Sequence, residues 1–417
     1  MGPESERRGR VALFYPYGAF STVAGLLDAT RILSDRGYEV EVYYRGTPEY
    51  MADRLRYPGV TVTDDKPAVF SMGPARYPRL LRRGRGVYSR LVREGPHRWW
   101  RSFAFVPELR RRHRLLPYVC FIGLDWRGLT TAGPLAAALG VPLAYWSLEL
   151  MFRDDLPDPG WEGFKEEEAE WSRRAEFVII QDAWRAAALV EEDGIDPARI
   201  VLVPNAPRGE ARRAASGLLR AKYHIAPSRQ VALCSGFLRP WAMSREIVEA
   251  ARDWPPDYLL YMQSKVTREH AMMGYSEEVI RAARHGSVLV GLDPLPSQEF
   301  SRLVDSADVG LALYNPCFRG DGRTDRNMEL MGYSSGKLAD YLHAGLPIVA
   351  SRLPGPRDLV ERYECGVCVD TPDEIREALD TIFQDYARYS SNACRCFDEV
   401  LELERHFQGV IDRLALL

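Results

Sequence analysis

The chain has 417 residues, enough for two or three average domains with separate cores, and its formal charge of −3 gives no general attraction to nucleic acid. Charged residues make up 27% and glycines number 33, ordinary values that exclude fibrous and low-complexity classes. Seven cysteines in a chain this long exclude a disulfide scaffold.

Residues 1–10 (MGPESERRGR) lack the apolar core of a signal peptide, and no later run is long enough to span a bilayer, so a cytosolic protein is expected. Short apolar runs then alternate with amphipathic stretches. Residues 11–15 read as a strand, followed by a helix from about Ser21 that Gly37 closes, and residues 39–44 as the next strand. Strands at 118–122, 143–146, 177–180 and 200–203 continue the series, with helical segments between them. Gly140 lies just past one of those helices, where a left-handed cap is needed.

Residues 204–207, Pro-Asn-Ala-Pro, break the rhythm, and a polar stretch rich in Arg and Ala runs on to Ser228. A second series begins at 230–235 and continues at 258–263, 309–313, 347–350 and 366–369. Alternating strands and helices predict parallel sheets covered on both faces. The reading is an α/β chain of two Rossmann-like, doubly wound domains. Residues 1–205 form the first and 206–228 a linker; residues 229–385 form the second, and helices over 386–417 pack back on the first. Ligands of such sheets bind at the carboxyl ends of the strands, so two facing sheets make one deep cleft.

The most informative stretch is 334–351, SSGKLADYLHAGLPIVAS. Ser334, Ser335 and Gly336 open a helix whose backbone amides and positive dipole end suit a diphosphate, and Lys337 adds a cation at the same end. Asp340 follows one turn later, where a carboxylate can accept two hydrogen bonds from a ribose diol. Serines are also ordinary N-caps, and a Lys–Asp pair is also an ordinary surface pair.

This stretch resembles the nucleotide-sugar segment of GT-B glycosyltransferases of the retaining family 4 type. Those enzymes carry two acidic residues eight positions apart before a small-Gly-Leu-Pro turn. Asp340 matches the second acid, which holds the ribose in that family, whereas the first falls on Gly332. Related members replace that first acid with a Ser/Lys phosphate loop, as Ser335, Gly336 and Lys337 do here. The resemblance extends over most of the chain, through Val203-Pro204-Asn205 at the junction and through residues 307–311. Ser235-Gly236-Phe237-Leu238-Arg239 is similar to the family's strand-end glycine loop. There Gly236 lets the backbone approach the ligand, and Arg239 offers a forked donor to phosphate oxygens.

The resemblance implies a GT-B fold and a hexosyltransferase-type enzyme. It would move a sugar from a UDP- or GDP-sugar to an acceptor hydroxyl with retention of configuration. Negative charge developing on the leaving diphosphate needs positive partners, and the helix terminus, Lys337 and Arg239 supply them. No Asp-x-Asp motif follows a strand, so neither a metal nor a cofactor is expected, the nucleotide sugar being a co-substrate. Cys365, Cys368, Cys394 and Cys396 have the count for a zinc site, but residues 366–369 read as a buried strand in which cysteine is a small apolar residue.

On the acceptor side, Gly18 and Phe20 lie in the turn after the first strand, and Asp125 and Glu149 stand at other strand ends. Either carboxylate could orient or deprotonate a hydroxyl. In the resembling family no dedicated base is needed, because the leaving phosphate takes the proton. The long loop 315–333 offers Asp325, Asn327 and Glu329 to sugar hydroxyls, and backbone near 291–295 is where the base should be read.

Residues 76–114 carry thirteen arginines against Glu94 and Glu108, with Trp99, Trp100, Phe103 and Phe105 interleaved. Three readings stay open: a peripheral membrane patch meeting a lipid-linked acceptor at the inner face, contact with an anionic small-molecule acceptor, or a solvated face. No recognition motif accompanies the charge, so no nucleic-acid partner is expected. A nucleotide-sugar epimerase of the same fold and a catalytically silent sugar- or partner-binding subunit remain as rival functions.

Overall fold

A computed structural model describes residues 8–15, 24–44, 57–64, 96–156, 159–264, 274–284, 286–292, 294–318 and 325–417. The first sheet contains β1 (Arg10–Tyr15), β2 (Glu39–Tyr44), β3 (Val60–Asp64), β4 (Tyr118–Leu124), β5 (Leu143–Trp146), β6 (Phe177–Ile180) and β7 (Ile200–Leu202). The second contains β8 (Gln230–Gly236), β9 (Tyr258–Ser264), β10 (Val288–Gly291), β11 (Val309–Ala312), β12 (Ile348–Ser351) and β13 (Gly366–Val369). Strand orders are β3-β2-β1-β4-β5-β6-β7 and β10-β9-β8-β11-β12-β13. All pairings are parallel.

Each sheet thus reverses direction once, between β1 and β4 and between β8 and β11. Those two reversals are where crossover helices diverge and leave a crevice at the strand ends. The central strands are buried along their whole length, β6 as Phe-Val-Ile-Ile and β12 as Ile-Val-Ala-Ser, because helices cover both faces. Two edge strands, β3 and β10, are absent from the sequence reading; the first helix is described over Ala24–Asp35, and Ser21 lies outside the described residues.

Glycine sets the closest approach at the first reversal. A Cβ at Gly123 on β4 would lie 2.4 Å from Leu129 Cα, and one at Gly128 would lie 2.1 Å from the Phe14 carbonyl oxygen. The helix Asp125–Leu139 therefore starts almost against β1 and β4, and that contact delivers Asp125 to the strand ends.

Within the first half, Lys165 is buried with its Nζ 2.9 Å from Glu168 Oε2 and 2.5 Å from Asp193 Oδ1. Tyr145 on β5 donates to Glu168 Oε1 at 2.5 Å. This network pins the helices Glu162–Arg174 and Ala183–Asp193 to the sheet. Burial pushes the Glu168 carboxyl up, and the Lys165 charge opposes that shift.

Beyond β13 the chain stays on the second half through the helix Tyr386–Cys396, where Ala393 and Cys396 join its core. It then crosses back. The helix Leu403–Ala415 buries Leu403, Phe407, Val410, Ile411 and Leu414 in the core of the first sheet, against Leu26, Trp146 and Val201. Arg208 clasps the crossing, 2.6 Å from Asp35 and 2.8 Å from Glu404. No helix among the described residues is long and apolar enough to cross a membrane.

Candidate functional site

A cavity of about 260 Å³ opens between the two sheets, lined from both halves at the carboxyl ends of their strands. Tyr15, Asp125, Leu148, Glu149, Gln181 and Asn205 come from the first half. The second half contributes residues around Gly236 and Trp241, together with Tyr314 and the start of the helix Gly336–His343.

The phosphate-type helix start forms one wall. Ser335 caps the helix, its hydroxyl accepting the Leu338 amide at 3.3 Å, and it also meets the Tyr314 hydroxyl. Its side chain is thus committed to the protein. Ser334, Gly336, Lys337 and Asp340 all line the same space. Lys337 Nζ sits 4.4 Å from the centre of the Tyr314 ring, which in turn stacks on Trp241 at 6.3 Å and 4°. An ammonium over an aromatic face is attracted by the ring's quadrupole. Buried Tyr341, one residue after Asp340, receives the Ser235 amide at 2.8 Å and so ties the end of β8 to this helix.

Gly236 has φ +134 with nothing within 4 Å of a built Cβ, so the strand end presents bare backbone to the cavity. Phe237 and Leu238 follow it into the lining. Arg239 does not: it is exposed and absent from the lining, because the short helix Pro240–Ala242 turns Trp241 and Ala242 inward. Lys337 is the one basic side chain among the described residues that line the cavity.

Opposite stands Asp125, with φ 54, a left-handed conformation uncommon outside glycine. Its Oδ1 accepts the amides of Leu148 at 2.8 Å and Glu149 at 2.9 Å. Burial, then the nearby Glu149 charge, push its carboxyl up to about 7. Glu149 is exposed to the cavity, and its Oε2 accepts from Asn327 Nδ2 at 2.8 Å. Gly18 and Phe20 lie outside the described residues, as do 65–95 and the side chains of 96–105 and Asp325. Tyr15 and Ala24 flank the segment that holds Gly18 and Phe20.

Asn327 is not available to sugar hydroxyls as expected. It is 2% exposed, does not line the cavity and is spent on the first half. Glu329 is exposed and also lies outside the lining. The sequence reading missed the groups that meet Asn327. Arg185 is fully buried, and its guanidinium reaches Gln181 Oε1 at 2.8 Å, the Leu148 carbonyl at 2.8 Å and Asn327 Oδ1 at 3.2 Å. Burial lowers its pKa, against the pull of Glu149, Asp182 and Asp125. Gly332, where the resembling family has its first acid, is packed against the first half: a Cβ there would lie 3.1 Å from Asp182 Oδ2 and 3.3 Å from Gly355 Cα. Asp182 caps its own helix through the Arg185 amide and takes the Tyr333 amide at 3.2 Å, so it already fills the space that a larger residue 332 would need.

Residues 274–408 match the family described as Glucosyltransferase 3-like, C-terminal domain. No curated protein matches the sequence. Among solved structures, Anabaena HepE in complex with UDP and glucose superposes with a TM-score of 0.68 at 14% identity, covering 98% of this chain and 100% of that one. Sucrose-phosphate synthase from Thermosynechococcus elongatus gives 0.68 at 15% identity over 98% and 99%. A glycosyltransferase from Rickettsia africae gives 0.66 at 12% identity over 98% of both chains. The two-sheet architecture is the GT-B fold of these proteins, as the resemblance implied.

Proposed function

We propose that the chain is a glycosyltransferase that moves a hexosyl group from a UDP- or GDP-sugar to an acceptor hydroxyl, without a metal and with retention. The carrying observation is the wall from Ser334 to Asp340: a capped helix start, one lysine and a carboxylate one turn on, all lining a cavity between two Rossmann-like halves. Backbone amides at Ser334–Lys337 and the Lys337 ammonium would take the diphosphate, and Asp340 the ribose diol. The complexes of HepE with UDP, with UDP-glucose and with UDP and glucose support a nucleotide sugar in this kind of cleft.

In the reaction the bond between the sugar's anomeric carbon and the diphosphate oxygen breaks, and the acceptor oxygen bonds to that carbon. The acceptor proton passes to the leaving phosphate on the same face, so Asp125 and Glu149 orient the acceptor and need not remove its proton. Lys337 and the helix terminus stabilise the charge that grows on the departing diphosphate.

A thermal-shift screen of UDP, GDP, ADP, dTDP and CDP, with EDTA and with magnesium, tests this reading. One diphosphate at a hundredfold excess over its dissociation constant should stabilise the fold by about 2.7 kcal/mol, equally in both buffers. Lys337→Ala should weaken that diphosphate at least tenfold and leave the matching nucleoside unchanged. Silence toward all five, or equal diphosphate affinity in the variant, refutes the phosphate assignment.

A further inference from the structure

We infer that Asn327 is a positioning residue for Glu149, reaching across from the half that carries the donor wall to fix the carboxylate that faces the acceptor; the inference rests on the sugar-transfer reading above. Asn327 lies on the short helix Asp325–Glu329, a few residues before Ser334 in the same chain segment. Its side-chain amide makes all of its described contacts with the other half. Nδ2 donates to Glu149 Oε2 at 2.8 Å, and Oδ1 accepts from Arg185 at 3.2 Å and from the Leu150 amide at 3.4 Å.

Besides Gln181 on the Ser147 carbonyl and the Ser147 hydroxyl on the Glu149 carbonyl, three groups hold residues 148–150 of the loop that bears Glu149. Asp125 takes its amides at 148 and 149, Arg185 takes the Leu148 carbonyl, and Asn327 takes both the Leu150 amide and the Glu149 carboxylate. Of these three only Asn327 belongs to the second half, and its amide donates to the Glu149 carboxylate. Its neighbours strengthen the same contact. Arg326 lies 4.1 Å over the Phe152 ring and 3.2 Å from Asp154, and Leu330 packs into the core of the first half.

An asparagine suits this place because one amide must donate to a carboxylate and accept from a guanidinium at once. Leucine would leave Arg185 with an unanswered donor, and aspartate would set two carboxylates against each other. The Glu149 carboxylate is thereby tied to the donor-side segment, so acceptor geometry depends on the contact between the two halves.

Asn327→Asp targets the contact, since it keeps the oxygen that serves Arg185 and Leu150 while it replaces the donor to Glu149 with a second carboxylate oxygen. Backbone amide exchange at 148–150 should quicken about tenfold in N327D. It should return toward the parent rate in the N327D/E149Q double variant, where amide and carboxylate change places. With UDP-glucose as the donor probe, kcat for release of UDP should fall at least tenfold in N327D, while KM for UDP-glucose stays within threefold. Exchange unchanged in N327D, or a raised KM with kcat intact, overturns the inference. A parent protein that neither binds UDP nor turns over UDP-glucose, and fails equally with the other nucleotides, counts against sugar transfer instead, and the exchange rates alone then decide where Glu149 is held.

Discussion

At the scale of single residues the cavity is a set of opposed electrostatic choices. Lys337 sits over the Tyr314 ring, whereas Asp125 on the opposite wall is pushed toward neutrality by burial and by Glu149. The consequence for stability has a definite sign. Below about pH 4 Asp125 is protonated in both the folded and unfolded chains and costs nothing. Between about pH 4 and 7 the unfolded chain releases the proton while the folded one retains it, so stability falls; above 7 the loss is complete. Asp125→Asn removes the titrating group, while its amide oxygen still accepts the amides of Leu148 and Glu149. That variant should gain on the parent by an amount that grows from pH 4 to 7, reaches at most about 4 kcal/mol and then stays flat. Urea unfolding at pH 4, 5.5, 7 and 8 measures it, and a difference independent of pH would refute the buried, raised carboxyl.

At the scale of elements, the network of Lys165, Glu168, Asp193 and Tyr145 decides how two helices sit on the first sheet. Lys165→Met should cost about 3–5 kcal/mol, because it leaves two carboxylates buried without their cation. The same change combined with Glu168→Gln and Asp193→Asn should recover most of that loss, and thermal unfolding of both variants provides the comparison. Eleven of the strands were legible as apolar runs, but β3 and β10 were not. Val60-Thr-Val-Thr is short and half polar, and Val288–Gly291 is four residues; both are edge strands buried less than the centre. The helix start at Ser334–Lys337 was legible because capping chemistry is local. The contacts that Arg185, Asp182 and Asn327 make across the gap between halves were not, since they depend on residues distant in sequence. Arg239 illustrates the converse: its residue type suits phosphate, yet one turn of short helix sets it outside the cavity.

At the scale of the whole molecule the two halves are joined twice, once through the segment after β7 and once where the chain returns near Glu402. Phe407 is fully buried in the core of the first sheet and lies 5.9 Å from the Trp146 ring. Phe407→Ala should cost about 3–5 kcal/mol and loosen the first half specifically. Amide exchange should then rise in β5, β6 and β7 ahead of β8 to β13, and a uniform rise across both sheets would contradict the assignment. The returning helix also bears on the order of synthesis. On the ribosome, β1 to β7 emerge long before residues 403–415, so the first sheet must wait with an uncovered apolar flank while the entire second half is translated. The half made first is the half finished last, and during that interval it is the nascent chain's natural point of contact for a chaperone.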